Sequence, residues 1–222
     1  MTGPALSAAA LVLQPFVLLY LVLLLGSPIT TAERATADPL VQLVLHWAGP
    51  LAIPACAVAV AGVWWRIRRP TAADLRAALR LAAIALPLAA LGLGLARYVL
   101  GPTLPAFIPP EESARPGMVL GLGAGVIEEV VFRLVLLPAL FTIAQSATST
   151  RSAALAAVVT TGFAFALMHE VGPGAGTFTP AYFLDRVLFP GILMSVLAFW
   201  PGAAFVVALH CSAHVILPLL FP

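Results

Sequence analysis

The segment that decides the fold reads Gly121-Leu-Gly-Ala-Gly-Val-Ile-Glu128-Glu129-Val-Val-Phe-Arg133-Leu-Val-Leu-Leu137. It places two carboxylates and one guanidinium in an otherwise apolar stretch. A charged side chain at membrane depth costs at least about 2.5 kcal/mol, so it indicates a function. Glu129 and Arg133, four residues apart, share one helical face, whereas Glu128 is turned about 100° away. The spacing predicts that Arg133 neutralises Glu129 and leaves Glu128 free as a general base. The alternative is a buried ion cluster that only fixes helix packing.

The composition of the whole chain places this segment in a membrane. Of the 222 residues, 62% are hydrophobic and 9% are charged, whereas an ordinary soluble domain carries about 25% charged residues. The eleven basic residues are all arginines, and they are too dispersed to form a nucleic-acid surface. We therefore expect an integral membrane protein that is surrounded by lipid and does not bind nucleic acid.

Apolar segments recur along the chain, separated by polar or Pro/Gly-rich connectors. Most are long enough to span about 30 Å of hydrocarbon as a helix. This pattern predicts an all-α, polytopic transmembrane helix bundle of about seven helices. The segments cover residues 5–26, 40–65, 78–100, 117–144, 153–170, 181–200 and 203–221.

The distribution of arginine predicts the orientation in the cell inner (plasma) membrane. Residues 66–76 contain four arginines and a single acid, Asp74. This excess of positive charge places the connector in the cytoplasm by the positive-inside rule. The amino terminus is then cytoplasmic as well. Alternation puts three other connectors on the outer side, namely Ser27–Pro39, Gly101–Gly117 and Gly172–Pro180.

Two of the later apolar segments contain histidines, one near its end and the other in its middle. His169 follows Phe165 by one helical turn, and His210 and His214 lie four apart on one face. That spacing suits a metal site or a pair of hydrogen-bond donors, although two packing histidines satisfied by carbonyls would look the same. No Glu follows His210, so the HExxH metalloprotease signature is absent. With the predicted topology, Glu128 and the histidines meet in the outer half of the membrane, where a base and oxyanion donors could cooperate.

Three ordered motifs resemble those of the CAAX protease and bacteriocin-processing family, which includes the eukaryotic type II CAAX prenyl endopeptidase. They are Glu128-Glu129-x-x-x-Arg133, Phe165-x-x-x-His169 and His210-x-x-x-His214. The resemblance covers roughly Met118 to Leu217. We therefore predict amino-terminal helices without family signal over residues 1–100 and a catalytic core over residues 101–222, within one membrane domain.

The resemblance also implies roles for the residues of the motifs. Glu128 and His169 would activate the attacking water, and His210 and His214 would stabilise the oxyanion, while Arg133 holds Glu129. The family most often has Asn at the last position, where this chain has His214. A glutamate mechanism without a cofactor is the expectation. Zinc is the alternative, held by Glu128, His169, His210 and His214.

The predicted function is that of an intramembrane endopeptidase, which hydrolyses a peptide bond in a membrane-associated protein or peptide. An outward-facing site would suit the processing or sorting of exported proteins. Two alternatives stay open. A proton-coupled transporter would spread ionisable groups across the full membrane depth, and a non-catalytic bacteriocin self-immunity protein would have no need of intact motifs.

Overall fold

The computed structural model describes residues 1–26, 29–100, 114–171 and 180–220, and the regular structure within them is entirely helical. The helices are α1 (Gly3–Gly26), α2 (Thr31–Thr36), α3 (Pro39–Trp47), α4 (Ala52–Ile67), α5 (Ala72–Leu100), α6 (Ala114–Glu128), α7 (Leu137–Gln145), α8 (Thr150–Val171), α9 (Pro180–Arg186), α10 (Met194–Leu197) and α11 (Ala203–Leu220). Segments of π-helix join α6 to α7 (Glu129–Leu136), α9 to α10 (Val187–Leu193) and α10 to α11 (Ala198–Gly202).

Helix forms in all seven predicted apolar segments, which confirms the all-α membrane class. Among the described residues, four helices are long and apolar enough to cross a membrane, or five if the bent α3–α4 pair is one span. The helix from α6 through α7 contains Glu128, Glu129 and Arg133, and these charges set it apart from the four. The last two predicted segments are separated where the backbone leaves helical geometry at Trp200.

The second predicted segment is two helices rather than one. Between α3 and α4 the chain bends by 98° near Gly49, whose φ of +73° is favourable only without a Cβ. The start of α3 is also specified locally, because an Asp38 carboxylate oxygen accepts a hydrogen bond from the Leu40 amide at 2.9 Å and Pro39 occupies the first turn. Helix α3, on the amino-terminal side of the bend, packs against α6 and α8.

The bundle is held by close packing of small residues and by a few polar contacts. Helix α11 packs on α5, α6 and α1, and α7 packs on α8. Because lipid is as apolar as the protein interior, close van der Waals packing replaces the hydrophobic effect as the force between helices. Two polar contacts anchor α4: Ser7 Oγ donates to the Trp64 carbonyl at 2.5 Å, and Trp64 Nε1 donates to the Leu134 carbonyl at 3.1 Å.

Helix α8 touches the Val187–Leu193 segment backbone to backbone. A Cβ built on Gly191 would lie 2.7 Å from the Gly162 Cα, and one built on Gly162 would lie 2.6 Å from Ile192 Cγ1. These distances leave no room for a methyl group. The contact also fixes the Pro190 carbonyl, which belongs to the candidate site described below.

We expect Gly162→Ala to destabilise the protein, because α8 and the Val187–Leu193 segment must separate to accommodate the methyl group. Overpacking of this kind costs about 1–3 kcal/mol. Gly62→Ala is the matched control, since its Cβ would meet no atom within 4 Å and alanine favours a helix. Thermal unfolding in detergent, followed by tryptophan fluorescence, should show a lower Tm for Gly162→Ala alone. Equal Tm values would contradict the close contact.

Candidate active site

Glu128 lies between two histidines from different helices. Its Oε1 is 3.6 Å from His169 Nε2, and its Oε2 is 3.6 Å from His210 Nε2. Glu128 is the last residue of α6, His169 lies near the end of α8, and His210 lies in the middle of α11. All three are buried. Both distances exceed that of a normal hydrogen bond, so neither carboxylate oxygen is closely paired with a histidine.

The second glutamate forms a fully buried pair with the arginine four residues later. Arg133 Nη1 is 3.5 Å from Glu129 Oε1, and neither side chain is exposed. Arg133 Nη2 also donates to the Pro190 carbonyl, and the guanidinium carbon lies 4.9 Å from the centre of the Phe165 ring. The positive charge is thus stabilised by a carboxylate, a carbonyl dipole and an aromatic face. The pair occupies a π-helical segment, a geometry that is frequent at functional sites.

Glu129 also determines which ring nitrogen of His210 carries a hydrogen. Its Oε1 is 2.7 Å from His210 Nδ1, and because a carboxylate only accepts, the hydrogen lies on Nδ1. In the neutral tautomer, His210 has a lone pair at Nε2, which is 3.1 Å from His214 Nε2. The His214 Nε2–H then donates to His210, so that one carboxylate orients both imidazoles.

Two glycines one helical turn apart form the surface on which the His214 ring packs. A Cβ at Gly121 would lie 3.1 Å from His214 Nδ1, and one at Gly125 would lie 3.0 Å from His214 Cδ2. Helix α11 therefore approaches α6 closely at this point. Sequence analysis quoted these glycines without a role; their four-residue spacing is the small-residue pattern of close helix packing.

Phe165 and His169 interact through both backbone and ring. His169 Nδ1 lies 2.8 Å from the Phe165 carbonyl, and since a carbonyl only accepts, Nδ1 carries a hydrogen. The two ring centres are 4.5 Å apart. The phenylalanine of the second motif thus orients the histidine on one side and contacts the Arg133 guanidinium on the other.

Asp38 belongs to the same group of side chains and was missed by sequence analysis. Its Oδ2 lies 2.8 Å from His169 Nε2. The Asp38-Pro39 pair ahead of an apolar segment is a helix-start signal, and sequence analysis could have identified it as one. Nothing in the sequence connects that signal to His169, which lies in a distant segment.

The donor set for a metal differs from the one implied by the resemblance. Among the described residues, the ligand atoms that gather within 4.8 Å of one another belong to Asp38, Glu128 and His169. Two carboxylates and an imidazole suit a divalent cation such as zinc. His210 and His214 face each other instead of joining this group. The zinc alternative stays a prediction.

The structure describes all seven residues predicted for the site and brings them together in one cluster of contacts. Residues 172–179 of the predicted outer loop lie outside the described residues, as does most of the Gly101–Gly117 connector. The predictions of orientation and of a boundary near residue 100 therefore stay predictions.

The fold and the site together define a multi-pass helical membrane protein whose ionisable groups converge on one buried carboxylate. Comparison with family models matches residues 111–221 to the type II CAAX prenyl endopeptidase Rce1-like family. The chain belongs to this family of CAAX-type intramembrane proteases, which confirms the resemblance of its three motifs. Comparisons with curated proteins and with solved structures give no match.

We expect Arg133→Met to destabilise the protein by about 3–5 kcal/mol, because it leaves the Glu129 carboxylate buried without a countercharge. The double variant with Glu129→Gln removes both charges and should recover much of this loss. Unfolding by denaturant in detergent measures both effects in a double-mutant cycle. If the double variant were as unstable as the sum of the single variants, the two side chains would be energetically independent.

Proposed function

We propose that this chain is an intramembrane endopeptidase in which Glu128, next to His169, activates the water that hydrolyses a peptide bond. The supporting observation is the position of Glu128 between two histidines, at 3.6 Å from each. At that distance each carboxylate oxygen can still accept a hydrogen bond from a water molecule. The substrate is a membrane-associated protein or peptide whose scissile bond reaches this layer of the membrane.

In the proposed reaction, Glu128 takes a proton from water while the water oxygen bonds to the carbonyl carbon of the substrate. The carbonyl oxygen becomes an oxyanion, and the His214 Nε2–H is its donor. His210 orients His214, because its own hydrogen on Nδ1 is bonded to Glu129. Glu128 then returns the proton to the leaving nitrogen as the carbon–nitrogen bond breaks. In the resting arrangement the His214 hydrogen points to His210, so an oxyanion has to attract it away. No cofactor enters this scheme, and zinc remains the second proposal.

A proton-coupled transporter is less well supported. The buried ionisable side chains among the described residues are Glu128, Glu129, Arg133, His169 and His210. The contacts given above join all of them to the same cluster. A relay through the membrane needs such groups at several depths. A self-immunity protein without activity would not need a buried carboxylate between two histidines, at 3.6 Å from each.

The first experiment compares protein termini in membranes and medium from cells that carry the wild type, Glu128→Gln or His169→Ala. Glu33→Gln is the control, because Glu33 caps α2 by bonding to Thr30 and glutamine keeps that geometry. With equal expression, new termini should occur only with the wild type and the control. They would also identify the substrate, which we propose to be an exported protein. Identical termini in all four strains would contradict proteolysis.

His214→Asn tests the donor role, because asparagine supplies an N–H at the position where the family most often has it. We expect His214→Asn to stay within about 10-fold of wild-type kcat, and His214→Ala to lose about 10²- to 10³-fold, as for other oxyanion donors. The assay is cleavage of the substrate found above by purified variants. Equal activity of the alanine variant would exclude His214 from the reaction.

The side of cleavage is tested with single cysteines and a membrane-impermeant maleimide. In a Cys56→Ala background, since Cys56 is exposed, Thr177→Cys should be labelled from outside intact cells. Ala147→Cys lies in the connector between α7 and α8, which the same alternation of segments places in the cytoplasm, and it should be labelled only after permeabilisation. The reverse pattern would place the site toward the cytoplasm and would exclude exported proteins as substrates.

A further inference from the structure

A groove runs along the surface of the bundle between α4 and α7, and none of the seven site residues lines it. Its volume is about 560 Å³, which lies within the range of about 300–1,000 Å³ for ligand pockets. Leu134 and Pro138 are buried and form its floor, whereas Val63, Val135 and Ile143 are exposed along its walls. The groove therefore opens on a face of the bundle that meets lipid.

The groove forms because α4 follows the long α6–α7 helix for only part of its length. Helix α4 packs against α6 and against the Glu129–Leu136 segment, and near its end Trp64 Nε1 donates to the Leu134 carbonyl at 3.1 Å. Helix α7 continues beyond this contact. The side chains of Ala59 on α4 and Ala139 on α7 are too small to fill the space between the two helices.

The lining of the groove is chemically close to hydrocarbon, although it includes two polar side chains. The Trp64 N–H is already bonded to the Leu134 carbonyl, and the Thr142 hydroxyl donates to the Pro138 carbonyl at 2.8 Å. Both donors are thus used within the protein, and the other lining residues are aliphatic. A polar ligand would lose its hydrogen bonds to water here without replacement, whereas an acyl chain would lose none.

Positive charge borders the groove where α4 ends. Arg66 follows Val63 by three residues and Ala59 by seven, which places it about 20° around the helix from Ala59 and on the same face. Arg66 is exposed, as is Arg69, two residues after the end of α4. Guanidinium groups bind phosphate oxygens through paired N–H groups, and basic positions next to transmembrane helices bind anionic lipid headgroups. A molecule with a hydrocarbon chain beside a phosphate complements this whole surface.

We propose that the groove binds a phospholipid with an anionic headgroup, whose acyl chain lies between α4 and α7 and whose phosphate is bound by Arg66 and Arg69. This inference goes beyond the proposed protease function and does not depend on it. The chain gains little by leaving bulk lipid, which is as apolar as the groove, so the arginines supply the preference for this lipid. A lipid held in this way bridges α4 and α7 and stabilises the folded protein.

Trp64 lines the groove and can report its occupant by fluorescence. The chain has four tryptophans, so the substitutions Trp47→Phe, Trp65→Phe and Trp200→Phe leave Trp64 alone. A Tm close to wild type would show that this single-tryptophan protein retains its fold. The protein is reconstituted in phosphatidylcholine vesicles that contain increasing fractions of either phosphatidylglycerol or phosphatidylcholine with brominated chains. Bromine quenches tryptophan on contact, so the two titrations compare the two lipids at one position.

We expect brominated phosphatidylglycerol to occupy the position at least about 5-fold better than brominated phosphatidylcholine, the ratio that one arginine near an anionic headgroup provides. Arg66→Gln with Arg69→Gln should bring the ratio close to one. Arg76→Gln with Arg80→Gln is the matched control, because it removes two exposed charges from α5, which packs on α11 and α1. This control should keep the wild-type ratio.

Two results of the quenching experiment would overturn the proposal. Equal quenching by the two lipids in the protein with all its arginines would mean that the groove does not select an anionic headgroup. Protection of Trp64 from both lipids would mean that a protein helix, from a second copy or another chain, covers the groove.

The second readout is thermal unfolding in detergent, and it includes Ala139→Phe, whose ring would fill the groove. Added phosphatidylglycerol should raise the Tm of the wild type by about 3 °C, and phosphatidylcholine should not. Neither Ala139→Phe nor the variant with Arg66→Gln and Arg69→Gln should show the rise. An equal rise in all variants would refute a site in the groove. Since neither readout involves cleavage, an inactive protein would refute the protease function and leave this test unaffected.

Discussion

The buried pair of Glu129 and Arg133 is the interaction on which the rest of the site depends. Two full charges inside a membrane are stable only if they are paired and further hydrogen-bonded, and each partner's remaining bonds connect it to another functional residue. Glu129 orients His210 and, through it, His214. Arg133 bonds to the Pro190 carbonyl and contacts the Phe165 ring, which in turn packs on His169. One ion pair thus connects both histidine motifs.

This network requires close contact between helices, and glycine provides it at two places. On α6, Gly121 and Gly125 let the His214 ring lie almost on the backbone. On α8, Gly162 meets Gly191 and so holds the Pro190 carbonyl within reach of Arg133. Both contacts are backbone approaches that a single methyl group would disturb. Packing and electrostatics are therefore coupled, because the polar contacts form only where small residues allow the helices to approach.

Local patterns in the sequence were enough to predict the helical class and to single out seven residues that the structure brings together around Glu128. Glu129 and Arg133 follow from four-residue spacing, and apolar runs follow from the length of a membrane span. What the sequence could not reveal is long-range. The bend at Gly49 turns α3 toward α8, and only that turn brings Asp38 to His169. The packing of the His214 ring against Gly121 and Gly125 is also a contact between distant segments. The hydrophobic periodicity of the sequence does not predict such contacts.

The contact between Asp38 and His169 connects the amino-terminal helices, which carry no family signal, to the candidate site. Family similarity begins at residue 111, yet α3 packs on α6 and α8, and α1 packs on α11, so the amino-terminal helices and the matched region share one core. Asp38 is the first residue before α3, and its position depends on the cap and on the bend that follows. A side chain held this way reaches His169 from the side opposite the Phe165 carbonyl. The amino-terminal helices therefore contribute a charge to the site as well as support for the bundle.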